Sequence, residues 1–272
     1  MNIDQYAVFG SPISHSKSPI IHQLFAEQTE QNLEYTAQEV HAENFMQTVT
    51  EFFAKGGKGL NCTVPLKELA WQFATKKTDR ATAAKAVNTL IKQADGSVLG
   101  DNTDGIGLVR DLKLNHLIEL KEKRILILGA GGATRGIILP LLDEKPDSLV
   151  VANRTVEKVW QLAVEFNHSF LGCGFDDLHE LPFDLILNAT SASLSGELPP
   201  ISDNLLAENG VCYDLAYSNK PTAFVEWGRA QNAKKSLDGL GMLVEQAAEA
   251  FFLWRNVRPR TQPVIEFLYQ KR

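Results

Sequence analysis

Residues 124–133 read Arg-Ile-Leu-Ile-Leu-Gly-Ala-Gly-Gly-Ala, and no other stretch restricts the fold so tightly. A short apolar run of this kind suits a strand covered on both faces, as in a parallel sheet. The glycines after it mark a tight turn, and a helical pattern then runs to about residue 142. Further short apolar runs follow at 148–152, 185–188 and 211–215, with helical patterns between them. Strand–helix alternation of this kind predicts a doubly wound, Rossmann-type parallel sheet.

The front of the chain alternates as well. Residues 5–10, 33–40 and 59–64 read as strands, and 19–30 and 42–55 as helices. Ser18 before Pro19 is a start signal, because proline suits the first helical position. Residues 86–92 and 97–100 read as a hairpin turned by Asp95-Gly96, and a helix is expected from 103–104 to about 115. A last long helix, 243–255, carries Ala247, Ala248, Phe251 and Phe252 at core-facing intervals, so it is expected to pack back on the first domain. The predicted class is therefore α/β with two domains: 1–101 plus 242–272, an α/β substrate domain, and 102–241, the Rossmann-type domain. A length of 272 residues suits two cores, and the cleft between them is the expected ligand site.

Net charge is −6, from 27 basic and 33 acidic residues, which argues against a nucleic-acid binder. Cys62, Cys173 and Cys212 are too few and too scattered for a disulfide framework or a zinc site, so a reducing compartment and no metal are expected. No signal-peptide pattern opens the chain, and no apolar run approaches the ~18 residues of a membrane span. The expectation is a cytoplasmic protein with no membrane partner.

Gly129, Ala130, Gly131, Gly132 and Ala133, between strand and helix, form the arrangement a dinucleotide pyrophosphate needs. The glycines admit the phosphates, and the helix start offers unpaired N–H groups. Thr134 departs from the pattern, standing where a third glycine is usual. The next strand chooses the cofactor. An NAD site carries Asp or Glu at that strand's end, whereas here it ends in Asn153-Arg154-Thr155, with Lys158 a turn later. Arg154 can meet a 2′-phosphate with its planar fork and Lys158 adds a point charge, so NADP is predicted over NAD. The bland alternative makes Arg154 a solvated loop residue and Thr155 a helix cap.

Four polar clusters stand at strand or loop ends in the first domain: 14–17, 61–67, 87–89 and 101–105. Singly each has a plain structural reading. Ser16 or Asp104 can cap a helix, Lys67 can be a surface lysine, and Asn88 can satisfy a neighbouring backbone group. Taken in order, the set resembles the shikimate dehydrogenase family over nearly the whole chain. It comprises S-x-S, N-x-T-x-P-x-K, V-N-T, N-T-D-x-x-G, GAGGA, N-R-T and the D-G-x-x-M-L-x-x-Q stretch at 238–246. The resemblance implies that Ser14 and Ser16 hold a substrate carboxylate, and that Thr63, Lys67, Asn88, Asp104, Tyr217 and Gln246 surround ring hydroxyls. It also places Gly239 and Met242 at the nicotinamide, with Thr190 in the loop on that side. Against the family's pattern, Cys62 stands where Val is commoner, and residues 189–193 depart from the usual Ser-x-Gly continuation.

The residues make chemical sense on their own. Hydride reduction of a ketone leaves an alkoxide that must take up a proton. Lys67 is the expected donor, with Asp104 orienting it and a substrate hydroxyl, the two behaving as one coupled pair. The expected activity is NADPH-dependent, reversible reduction of 3-dehydroshikimate to shikimate. Two alternatives are a quinate/shikimate dehydrogenase of broader substrate and NAD use, and a non-catalytic NADP-binding regulatory protein. Monomer and homodimer both stay open.

Overall fold

The computed structural model describes residues 3–178 and 182–272. Met1, Asn2 and 179–181, which belong to the predicted domain ranges, lie outside the described residues. The chain divides into two compact units. One is formed by 3–107 and 243–271, the other by 108–242 with Arg272.

The first unit is built on strands β1 (Asp4–Gly10), β2 (Leu33–Glu39), β3 (Gly59–Cys62), β4 (Lys76–Lys77), β5 (Thr89–Lys92) and β6 (Val98–Asp101). Its sheet is mixed, in the order β2-β1-β3-β5-β6-β4. β1 runs parallel to β2 and β3, while β5 runs antiparallel to both β3 and β6. Helix α1 (Ser18–Gln28) carries Pro in its first turn, as the sequence signal requires, but Ser18 is already helical and Lys17 takes the cap position. Helix α2 (Phe45–Ala54) presents Phe45, Val49 and Phe53 at four-residue spacing to a core that also holds Phe9, Leu60, Leu66 and Leu90. Helices α3 (Lys67–Phe73) and α4 (Asp79–Ala84) are short. The Thr78 hydroxyl caps α4 by accepting from the Ala81 N–H.

Helix α5 (Asp104–Arg110) continues through residues 111–115 as a wider π turn, so the helical segment ends where the sequence pattern predicts. Within that turn Asp111, fully buried, accepts from the Tyr213 hydroxyl at 2.7 Å and the Asn115 amide at 2.9 Å.

The second unit has an all-parallel sheet. Its strands are β7 (Arg124–Leu128), β8 (Ser148–Ala152), β9 (Leu171–Cys173), β10 (Phe183–Asn188), β11 (Leu206–Asp214) and β12 (Lys235–Leu237), in the order β12-β11-β10-β7-β8-β9. Counted from β7, that is the 3-2-1-4-5-6 order of a dinucleotide-binding fold. Ile125 to Leu128 are all fully buried, as a strand covered on both faces must be. Helices α6 (Gly132–Asp143), α7 (Val156–Glu165) and α8 (Ala223–Ala230) complete the unit. Helices α9 (Leu240–Arg255) and α10 (Gln262–Gln270) close the chain, and from Leu243 onward they belong to the first unit. Among the described residues no helix is long and apolar enough to cross a membrane, and no group of His, Cys, Asp or Glu is placed to hold a metal.

Candidate active site

In the first unit, Lys67 opens α3 and Asp104 opens α5, and the Lys67 ammonium meets Asp104 Oδ2 at 2.5 Å. The pair is partly buried, with the two side chains 28% and 12% exposed. A third residue fixes the far carboxylate oxygen: the Asn88 amide donates to Asp104 Oδ1 at 2.8 Å. The same amide nitrogen donates to the Thr103 hydroxyl at 2.9 Å and reaches the Gln246 side-chain oxygen at 3.3 Å. Lys67, Asn88, Asp104 and Gln246 therefore form one cluster from four separate parts of the chain. The result is a cation, a carboxylate and two amides, able to serve several hydroxyls at once.

The orientation of Asn88 is set from behind. Its side-chain oxygen accepts from the Thr103 N–H and the Thr89 hydroxyl, both at 2.9 Å. Asn61 donates to the Asn88 carbonyl and to the Thr89 hydroxyl at 3.0 Å, and itself accepts from the Tyr35 hydroxyl at 2.7 Å. Thr89, Thr103, Asn61 and Tyr35 escape sequence reasoning as site residues, because their partners lie far along the chain. The polar 61–67, 87–89 and 101–105 clusters are the only signal for three of them.

Ser14 is exposed, and the Ser16 hydroxyl accepts from the Ser18 N–H at 3.3 Å. Thr63 sits in the turn that closes on the Leu66 N–H, with its methyl against Gly10. Neither Ser14 nor Thr63 makes a side-chain hydrogen bond to the Lys67 cluster. Burial pushes the neighbouring Cys62 thiol well above its usual range, with Lys67 pulling the other way, so the thiol is inert.

In the second unit, Gly129, Ala130, Gly131, Gly132 and Ala133 line a cavity of about 440 Å³ together with Asn153, Arg154, Thr155, Lys158 and Thr190. Gly129 sits at φ +104°, which favours glycine. Thr134 explains its own departure from the pattern: fully buried, it donates from its hydroxyl to the Gly129 carbonyl at 2.8 Å and closes the turn. A Cβ at Gly131 or Gly132 would meet no protein atom within 4 Å. The chain's own packing does not demand glycine there, and the open space at the start of α6 suits close approach of a phosphate. Arg154 and Lys158 are exposed, and neither is in an ion pair with a described carboxylate. The end of β8 carries no acid, so a dinucleotide with a phosphorylated ribose fits this chain's residues.

Gly239, Met242 and Tyr217 also belong to the second unit. Gly239 has a packing reason of its own, since a Cβ would lie 2.2 Å from the Leu215 carbonyl oxygen. Burial pushes the Tyr217 hydroxyl above its usual range.

Family models match in chain order. A shikimate dehydrogenase substrate-binding domain covers residues 8–90, a shikimate/quinate 5-dehydrogenase model covers 111–195, and a shikimate 5′-dehydrogenase C-terminal domain covers 239–266. A shikimate dehydrogenase (NADP(+)) of Methylococcus capsulatus is 60% identical over 99% of this chain and 97% of its own. The chain belongs to the shikimate dehydrogenase family. Among solved members, the shikimate 5-dehydrogenase of Thermus thermophilus, determined with NADP(H) and shikimate, superposes with a TM-score of 0.87 at 32% identity, covering 97% of this chain and 98% of that one. An Ael1 enzyme from Pseudomonas putida superposes with a TM-score of 0.93 at 46% identity, covering 97% and 98%. The family's two-sheet α/β fold is thus the one described above.

Proposed function

We propose that this protein is an NADP-dependent shikimate dehydrogenase, interconverting 3-dehydroshikimate and shikimate as a step of aromatic amino acid biosynthesis. The observation that carries the reading is the Lys67–Asp104 contact, held by Asn88 and flanked by Gln246. NADPH, when bound, supplies the hydride. The chain's own residues handle the proton and the hydroxyls. As the carbonyl oxygen gains negative charge, the Lys67 ammonium stabilises it and delivers a proton. Asp104 holds Lys67 in place and accepts from a ring hydroxyl. The Asn88 and Gln246 amides complete recognition of the ring, so an analogue lacking a hydroxyl leaves buried groups unpaired and is rejected. Ser14 and Ser16 receive the carboxylate, with Thr63 and Tyr217 bordering the substrate. Gly131 and Gly132 admit the pyrophosphate, and Arg154 with Lys158 the 2′-phosphate, beside Asn153 and Thr155. Thr190, Gly239 and Met242 are assigned to the nicotinamide end.

The reading also places the enzyme in the cytoplasm, where its three free thiols are at home. Absorbance of the reduced nicotinamide, with shikimate and either NADP⁺ or NAD⁺, tests the assignment. Turnover is expected with NADP⁺. Lys67→Ala should lower kcat by roughly 10²–10⁴-fold with little change in KM, the range for loss of a general acid. Arg154→Ala should raise the KM for NADP⁺ far more than that for NAD⁺. A protein that binds NADPH but never converts shikimate would overturn the assignment.

A further inference from the structure

The loop at residues 189–193 lines the cofactor cavity through Ala189, Thr190, Ser191 and Ala192. Asn188, fully buried at the end of β10, starts the loop: its side-chain oxygen accepts from the Thr190 N–H at 3.1 Å and the Thr190 hydroxyl at 2.7 Å. Its amide nitrogen donates to Ser193 Oγ at 3.0 Å and to Asp214 Oδ1 at 3.2 Å. Ser193 then donates to Asp214 Oδ2 at 2.5 Å. Asp214, fully buried at the end of β11, is fixed independently by the Thr222 hydroxyl at 2.6 Å and the Ala216 N–H at 3.1 Å. Each carboxylate oxygen thus accepts two hydrogen bonds, the satisfaction a buried anion needs. Ser193 ties the loop to that fixed point, and a glycine there has no hydroxyl with which to do so. The loop in turn abuts the phosphate turn, since a Cβ at Gly129 would lie 3.1 Å from the Ala189 carbonyl oxygen.

We propose that Ser193 is a positioning residue for the cofactor, holding the 189–193 loop in its receptive shape through Asp214. The inference rests on reading the cavity as the dinucleotide site. Ser193 touches no reacting atom. It acts by removing freedom from a loop that must otherwise be ordered when the cofactor arrives, a cost charged against affinity.

The test compares Ser193→Ala, Ser193→Gly and Ser193→Thr with the parent enzyme by NADPH fluorescence titration and steady-state kinetics. Ala and Gly should raise the NADPH dissociation constant roughly ten-fold, as expected for loss of a hydrogen bond to a carboxylate. The KM for shikimate should stay within about two-fold, since ring contacts are untouched. Thr, which keeps the hydroxyl, should restore NADPH binding to within about two-fold of the parent. Unchanged NADPH affinity in Ala and Gly, or a Thr variant as weak as Gly, overturns the role. So does a parallel rise in both substrate constants, which would mark general loosening. A parent protein that binds no NADPH defeats the reading of the cavity itself, so the parent titration separates the two failures.

Discussion

His22 lies on α1, 1% exposed, its ring stacked on Tyr35 at 4.1 Å and surrounded by Phe25, Phe251 and Trp254. Neither ring nitrogen has a hydrogen-bond partner, and burial pulls its pKa down to about 3. An unfolded histidine titrates near 6.5. Between these values the unfolded chain takes up a proton that the folded one refuses. The stability contributed by the neutral ring is therefore complete above about pH 6.5 and is lost at ~1.4 kcal/mol per unit as pH falls towards 3. His22→Phe removes that dependence. Urea unfolding at about pH 6.5 and pH 4.5 should show a gap roughly 2–3 kcal/mol smaller in the variant than in the parent. Equal gaps would mean that other groups carry the acid sensitivity. Nothing in the sequence marks His22: it sits beside Ile21 in an ordinary helical pattern, and of its aromatic neighbours only Phe25 shares its helix, while Tyr35 comes from β2 and Phe251 and Trp254 from α9.

At the scale of elements, α4 is locked to the end of β6 by one ion pair. Arg80 Nε and Nη2 donate to the two oxygens of Asp101 at 2.7 Å, and Nη2 also reaches Glu249 on α9 at 3.2 Å. Asp101 is 1% exposed, so removing its partner strands a buried charge. Arg80→Ala should cost about 3–5 kcal/mol of unfolding free energy, measurable by urea titration. Asp101 Oδ1 also accepts from the Thr78 hydroxyl at 2.6 Å and the Asn102 N–H at 2.7 Å, and a loss under about 1 kcal/mol would show that these two suffice to hold the carboxylate. The long apolar strands and the glycine turn were legible in sequence because their pattern is local. Short elements such as α3, β4 and β12 were not, since a Lys-Lys strand carries no periodicity and exists through its neighbours. The same division runs through the candidate site. Lys67, Asn88 and Asp104 stand in motifs, as do Asn61 and Thr89, while Tyr35 and Asp214 stand in none and act through partners that only the fold supplies.

The two units differ in how the chain composes them. Apart from Arg272 the second is one continuous segment, 108–242, whereas the first joins 3–107 to 243–271. The C-terminal segment is integral to the first core: Phe251 is fully buried against His22 and Phe25, the Trp254 indole donates to the Leu90 carbonyl at 3.1 Å, and Arg255 pairs with Asp4. A fragment of residues 108–242 should therefore melt cooperatively by circular dichroism, and a fragment of 1–107 should not. A sharp transition in the shorter piece would show that α9 is dispensable for that core. The discontinuity also sets an order of events at the ribosome. The segments bearing Lys67 and Asn88 emerge before the nucleotide-binding segment, yet their hydrophobic interior stays unsealed until α9 has been made, well after that whole segment. The half of the molecule translated earliest is thus the last to mature, and while it waits its exposed apolar surface is what a chaperone would meet.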